Sequence, residues 1–286
     1  MGNAPTDVPA ALAGLSDQPR VRDFLARAVV EGRLSHAYLF VGAPGSGKHE
    51  AACALAKCIV CPNGGDSSCD ECRRVAHKTH PDVHWYAPAS AVGYLADQVR
   101  EVIADAQLAP MRAPSKVYVL ERAELLRGTA ANALLKTLEE PPDGVTFILC
   151  GRTVASLLPT IVSRCQVVPF SSVPPEVALA RVQREAAATP QEAAIALSVA
   201  GSASHAVEFL KSPGRRQVRR LVVSTLDQLA RDDSWDVLQA ARQIVEEAKL
   251  PLADVAAAQK EALDESSDFL TAAALKQLED ANKREL

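Results

Sequence analysis

The chain has 286 residues, of which 48% are hydrophobic and 23% charged, and its formal net charge is −4. This length allows two or three domains. The balance of 31 basic and 35 acidic residues argues against a broad basic surface that binds nucleic acid. The sequence has no apolar run of about 18 residues that would predict a membrane span and no secretion-signal pattern at its start, so we expect a cytoplasmic protein without membrane attachment.

Short apolar runs alternate with helical patterns over residues 1–170. A helical stretch at 19–34 precedes "HAYLFVG", which predicts a buried strand, and "KHEAACALAKCIV" predicts the helix that follows it. Further apolar runs at 116–121, 144–150 and 165–170 predict three more strands. Strands that alternate with helices indicate an α/β domain with a parallel sheet covered on both faces.

Beyond residue 170 the pattern becomes helical and shows no convincing strand. Pro213 and Gly214 in "KSPGRR" predict a break between helices. We expect an α/β domain at 1–170, a small helical domain at 171–212 and a third helical domain at 213–286. An amphipathic pattern still runs at Leu286, so the sequence leaves open whether this last domain is complete.

Residues 42–48, "GAPGSGK", have the pattern of a nucleotide phosphate loop between a strand and a helix. Backbone N–H groups of such a loop converge on phosphate oxygens, and its lysine reaches the terminal phosphates. The alternative is a glycine-rich turn with a surface lysine. The residues predicted to bind ATP or ADP and its metal are Gly42, Pro44, Gly45, Ser46, Gly47, Lys48, His49 and Glu121.

Two positions depart from a working ATPase site. His49 stands where a Ser or Thr hydroxyl normally binds Mg²⁺, a cation that prefers oxygen ligands. After the strand "VYVL", Glu121 can hold the metal, but Arg122 occupies the place of the carboxylate that orients water, and it cannot act as a base. Glu124 is a candidate substitute for this carboxylate, but it lies two residues further along the chain than Arg122. We expect nucleotide binding with weak or absent hydrolysis.

Five of the seven cysteines lie between Cys53 and Cys72, which favours a metal site in a reducing cytoplasm over disulfides. The pairs Cys58-x2-Cys61 and Cys69-x2-Cys72 predict a structural, tetrahedral Zn²⁺ site within a module at 58–80. The alternative is a set of helix-face cysteines with two loop thiols.

Four stretches, "SHAYLFVGAPGSGK", "THPDV", "AANALLKTLEEPP" and "LPTIVSRCQ", together resemble the AAA+ clamp-loader subunits of bacterial DNA polymerase III. The resemblance covers residues 15–170 and implies an AAA+ P-loop domain with an inserted zinc module, a helical lid domain and a collar-type C-terminal segment. Aligned on the family's zinc pattern, the fourth cysteine position falls on Val75, so Cys58 is the preferred replacement, with His77 and His80 as outside candidates.

The family contains ATPase motors, gamma/tau, and a stator, delta-prime, whose nucleotide site is silent. His49 and Arg122 place the chain with the stator class. The resemblance implies a hetero-oligomer with gamma/tau and delta subunits, which contacts the sliding clamp and primed DNA through the complex. It also implies that Arg164, in Ser163-Arg164-Cys165, is an arginine finger for a neighbour's ATP site, whereas the residues alone indicate only a surface arginine.

Two other functions remain as alternatives. An active ATPase of the gamma/tau type is favoured by Lys48 and Glu121 and opposed by His49 and Arg122. A zinc-bearing DNA-binding module is disfavoured by a pI near 5.9 and by only 12 aromatic residues (2 Trp, 4 Tyr and 6 Phe). Whether the chain is itself an enzyme stays open, because its link to DNA polymerase is membership of that holoenzyme and nothing resembles polymerase chemistry.

Overall fold

Five parallel strands form one sheet in a computed structural model that describes residues 8–90, 92–228 and 235–249. The sheet order is β2-β3-β4-β1-β5. In chain order the strands are β1 Ala37–Val41, β2 Val83–Tyr86, β3 Lys116–Leu120, β4 Val145–Gly151 and β5 Gln166–Pro169. Because neighbouring strands are parallel, their carboxyl ends meet at one edge of the sheet, and the ends of β1 and β4 pair directly through Val41 and Gly151.

Helices cover both faces of this sheet, as the sequence predicts. They are α1 Ala10–Ala13, α2 Pro19–Val30, α3 Lys48–Val60, α4 Asp70–Ala76, α5 Ala96–Ala106, α6 Gly128–Glu139 and α7 Pro159–Val162. Alternate strand residues serve the two faces: Tyr38 and Phe40 pack with α1, α2 and α3, whereas Leu39 packs with α5, α6 and α7. All seven residues of β4 are buried, which explains why its sequence lacks polar alternation.

The sequence predicted β1, β3, β4 and β5 but not β2. Only Val83 of β2 is fully buried, and His84, Trp85 and Tyr86 are half-buried. As the edge strand beside β3, β2 carries polar side chains that interrupt the apolar run used to recognise buried strands. The α/β class with a parallel sheet is confirmed.

The chain divides into two compact units, Met1–Val177 and Ala178–Leu286. The helices at and after the boundary are α8 Pro175–Ala186, α9 Pro190–Ala200, α10 Ala203–Lys211 and α11 Pro213–Gln228, and residues 235–249 are also helical. Thr189 and Glu192 form a capping box that begins α9. The core of the second unit consists mainly of small side chains, among them Ala193 and Ala196 around Val182.

The predicted helix break at 211–216 is confirmed, because α10 ends at Lys211 and α11 begins at Pro213. The division into lid and collar domains stays a prediction, and more than half of the predicted third domain, residues 229–234 and 250–286, lies outside the described residues. Across the described ranges no single helix is long and apolar enough to span a membrane, although α9 and α10 together, bent by 113°, meet the criteria of length and composition.

Candidate functional site

The glycine loop connects β1 to α3. Its residues, 42–47, lie between Val41 and Lys48, so the predicted strand, loop and helix are confirmed. Gly45 and Gly47 adopt left-handed φ angles of 75° and 88°. A Cβ at Gly42 would lie 2.8 Å from Phe170 Cβ, so only glycine lets the loop pass this close to the end of β5. The first N–H groups of α3, which lack intrahelical partners, border this loop.

The ammonium group of Lys48 folds back into the loop. Nζ donates hydrogen bonds to the carbonyl oxygens of Gly42 (2.6 Å) and Ala43 (2.8 Å) and lies 3.3 Å from Ser46 Oγ. Lys48 is 8% exposed, and burial lowers its pKa although nearby acidic groups act in the opposite direction. Because the groups that it contacts in the loop are uncharged, the Lys48 ammonium is not paired with a carboxylate there.

His49 lies on the first turn of α3 and contacts the carboxylate that follows β3. Its Nε2 is 3.5 Å from Glu121 Oε1. An imidazole supplies no oxygen ligand, and when protonated it neutralises the carboxylate that would otherwise attract Mg²⁺. The structure therefore brings together His49 and Glu121, but in contact with each other.

Glu124 reaches the same edge of the sheet. Arg122 adopts a left-handed φ of 48°, and the chain continues as a 3-10 turn, Ala123–Leu125. Glu124 Oε1 lies 3.5 Å from Arg152 Nε, and the Glu124 side chain is only 13% exposed. Its Oε2 is buried and has no hydrogen-bond partner within the described part of the chain.

Arg152 was not identified from the sequence. It directly follows Gly151, the last residue of β4, at the edge where the parallel strands end and where ligands bind in α/β folds. Its place directly after a predicted buried strand is the sequence signal by which Arg152 could have been identified as a site residue. Arg152 lies against Glu124 and His49 against Glu121, so each of these two carboxylates has a nitrogen-bearing side chain of the chain beside it. The arrangement suits phosphate binding through Lys48 better than coordination of a metal and a water.

Arg164 lies in the turn between α7 and β5, on the surface of the first unit. Its guanidinium forms an ion pair with Glu139 and donates a hydrogen bond to Thr160 O at 2.7 Å. The Arg164 side chain is 30% exposed, and these partners belong to α6 and α7 rather than to the glycine loop. The structure thus presents Arg164 at the surface, held by a neighbouring carboxylate.

The cysteine-rich segment gathers three of the four predicted ligands. One ligand atom from each of Cys61, Asp66, Cys69 and Cys72 lies within 4.8 Å of the other three. Cys58 is absent from this group of described residues; burial raises the pKa of its thiol to about 12. Asp66 was missed because a single aspartate in a loop has no cysteine-like spacing signal.

A buried polar network fixes this segment to the sheet. His80 Nδ1 accepts a hydrogen bond from Asp82 N (3.0 Å), and His80 Nε2 lies 2.9 Å from Glu71 Oε2, although the geometry of that contact is not that of a hydrogen bond. Arg112 contacts the other oxygen of Glu71, also at 2.9 Å. His80, an outside candidate for a metal ligand, is therefore engaged with Glu71. The "THPD" stretch joins α4 to β2.

Comparisons with known proteins agree on one family. A family model described as "DNA polymerase III, delta subunit" matches residues 17–174, more than half of the chain. The chain is 33% identical over 215 residues to DNA polymerase III subunit delta′ of Bacillus subtilis, covering 74% of this chain and 65% of that protein. It is 37% identical over 161 residues to subunit tau of Escherichia coli, covering 55% and 25%. The chain thus aligns with less than two thirds of the length of these relatives.

The fold is also similar to that of solved structures. A DNA polymerase III gamma-subunit-related protein of Thermotoga maritima matches with a TM-score of 0.50 and 21% identity, covering 86% of this chain and 77% of that one. At this identity the likeness concerns the fold alone.

Proposed function

The chain belongs to the DNA polymerase III delta subunit family, and from this premise we propose that it is the delta-prime, or stator, subunit of the AAA+ clamp loader. In this role it assembles in the cytoplasm with gamma/tau and delta subunits, and the complex places the sliding clamp on primed DNA. Similarity to subunit delta′ of Bacillus subtilis supports this choice. So does similarity to subunit delta′ of Haemophilus influenzae, to which the chain is 37% identical over 179 residues.

The pairing of Glu121 with His49 is the observation that carries the stator proposal. A motor subunit needs oxygen ligands for Mg²⁺ and a carboxylate that orients the attacking water. Here His49 replaces the hydroxyl, Arg122 replaces the usual carboxylate, and Glu124 is held by Arg152. ATP or ADP binds at the glycine loop through Lys48 and the backbone, and its hydrolysis by this chain is slow or absent.

Nucleotide turnover by the purified chain tests this proposal. With Mg²⁺ present, we expect the wild type to release phosphate no faster than a Lys48→Ala variant, which lacks the phosphate-binding cation. Turnover of about one per second, within the ordinary range for enzymes, would contradict the stator reading.

An active motor of the gamma/tau type is the second candidate. Lys48 and Glu121 are present, Glu124 reaches the sheet edge, and the chain is similar to tau subunits. If the chain does turn over ATP, this reading predicts that Glu124→Gln abolishes turnover while nucleotide binding persists.

We further propose that Arg164 acts in trans on the ATP site of a neighbouring subunit. A guanidinium is permanently charged and binds phosphate oxygens with a fixed geometry. To do so it must exchange Glu139 for phosphate, and a partly exposed ion pair of this kind contributes only about 0–1 kcal/mol. An arginine finger accelerates phosphoryl transfer by about 10³–10⁵, so the gain far exceeds this cost.

The test uses a complex reconstituted with gamma/tau and delta subunits. We expect Arg164→Ala to lower ATP turnover at the adjoining site at least about tenfold without changing assembly, measured by size-exclusion chromatography. Arg33→Ala is the matched control, because Arg33 is an exposed arginine of the same unit paired with Glu31. Unchanged turnover with Arg164→Ala would end the finger proposal and leave the stator assignment intact.

The cysteine group fits a structural Zn²⁺. Cys61, Cys69 and Cys72 supply three thiolates, and zinc would tie the loop after α3 to the start of α4. We expect about one equivalent of zinc in the purified protein. Metal-free protein that takes up no zinc would contradict this part of the proposal.

A further inference from the structure

We propose that Asp66, and not Cys58, is the fourth ligand of this metal site, which makes it a Cys₃Asp site. The inference rests on the zinc site proposed above and is independent of the stator role. The family pattern places a cysteine where this chain has Val75, whose hydrocarbon side chain is fully buried and cannot bind metal. The chain must therefore draw its fourth donor from elsewhere.

Two distances within the group are close to those of a tetrahedral zinc site, and all of them are below 4.8 Å. Cys61 Sγ lies 3.4 Å from Cys69 Sγ and 3.6 Å from Asp66 Oδ1. Zn–S bonds of about 2.3 Å and Zn–O bonds of about 2.1 Å at tetrahedral angles separate two sulfurs by about 3.8 Å and a sulfur from an oxygen by about 3.6 Å. Small side-chain adjustments therefore suffice to enclose a metal ion.

Hydrogen bonds already orient the Asp66 carboxylate toward the sulfurs. Oδ1 accepts from the backbone N–H groups of Ser68 and Cys69, both at 3.1 Å, and Oδ2 accepts from Asn63 Nδ2 at 2.9 Å. The Cys61 thiol is a fourth donor, to Oδ1 at 3.6 Å, and a metal ion that replaces this thiol proton would take the place of that hydrogen bond. Supporting bonds of this kind position metal ligands in proteins.

The thiolates receive matching support from the backbone. Asn63 N donates to Cys61 Sγ at 3.3 Å, and Cys72 N donates to Cys69 Sγ at 3.4 Å. Donors of this kind fix the positions of the two sulfurs, as supporting hydrogen bonds do for metal ligands in other proteins.

Cys58 lies in a different environment. Its side chain belongs to the apolar core that includes α1, α2 and α3, and Cys58 is 7% exposed. A Cβ on Gly65 would lie 2.7 Å from Cys58 Sγ, so this sulfur packs against the backbone of the loop. Hydrophobic packing, rather than metal binding, accounts for Cys58.

The test measures metal content, zinc affinity by competition with a chromogenic chelator, and the thiolate-to-cobalt charge-transfer band of the Co²⁺-substituted protein. We expect the charge-transfer band of the wild-type protein to have the intensity of three thiolate ligands. Asp66→Asn keeps a hydrogen-bond acceptor but should weaken zinc binding at least about 100-fold, more than loss of a supporting residue costs. Asp66→Cys should raise the cobalt band by about one third, since four thiolates replace three.

Two control variants distinguish Asp66 from its neighbours. Cys58→Ala should leave zinc affinity and the cobalt band unchanged, as should Asp70→Asn, which alters an exposed carboxylate of the same segment. A four-thiolate wild-type band, loss of zinc with Cys58→Ala, or full affinity with Asp66→Asn would each overturn the assignment. A wild-type protein that binds neither metal would overturn the assignment together with the zinc site, whereas assembly with clamp-loader subunits tests the stator role separately.

Discussion

Asp82 offers a sharp test of how the first unit is held together. Its side chain is fully buried; Oδ1 accepts from Met111 N (2.6 Å) and Oδ2 from the N–H groups of Arg112 and Ala113 (both 2.8 Å). We expect Asp82→Ala to lower the free energy of unfolding by about 3–5 kcal/mol. Each hydrogen bond to a charged group contributes about 1.5–3 kcal/mol, and water recovers part of this at the exposed Met111 and Arg112 but not at the buried Ala113.

Trp85 provides a local probe for this measurement. It lies on β2 close to Asp82, and the only other tryptophan is Trp235. In a Trp235→Phe background, urea unfolding followed by Trp85 fluorescence reports the first unit. The control, Asp97→Ala, removes an exposed carboxylate on α5 and should change stability by less than about 0.5 kcal/mol. A loss below about 1 kcal/mol for Asp82→Ala would refute the view that this carboxylate holds the segment before β3.

Three further predictions concern the metal loop, the nucleotide site and acid stability. Gly65→Ala should destabilise the first unit by more than Gly64→Ala. Both glycines have left-handed φ angles, which cost other residues about 1–2 kcal/mol. Of the two, only Gly65 lies where a Cβ would meet the sulfur of Cys58 on α3. Equal losses in melting temperature would exclude that contact. His49→Thr restores a hydroxyl ligand and should make binding of a fluorescent ADP depend more strongly on Mg²⁺; the same affinity with and without EDTA in both proteins would show that position 49 is not decisive. Burial alone would raise the pKa of Asp105, but the hydrogen bond from Tyr118 and nearby cations outweigh it and lower that pKa. The stabilisation by Asp105 is therefore present above the ordinary pKa of an aspartate and is lost as the pH falls through the lowered pKa. Asp105→Asn should make the melting temperature depend less on pH between about pH 5 and 2. A melting temperature that falls with pH as steeply as in the wild type would contradict this.

The sequence by itself determined the α/β class, four of the five strands and the place of the glycine loop. These features are encoded locally: β4 is a continuous apolar run because both of its faces are buried, and the loop pattern needs only its own glycines between a strand and a helix. The loss of the hydroxyl at His49 and of the carboxylate at Arg122 is also visible in the sequence. The resemblance to clamp-loader subunits rested on such contiguous stretches.

Only the tertiary structure decided how side chains far apart in sequence combine. Arg152 joins Glu124 because parallel strands end at one edge of the sheet, and Arg164 meets Glu139 because α6 and α7 are neighbours. Asp66 reaches the sulfurs through a loop whose left-handed turns at Gly64, Gly65 and Ser67 cannot be read from cysteine spacing. Contacts of this kind depend on the path of the backbone in space, whereas a residue pattern reports only what each segment does by itself.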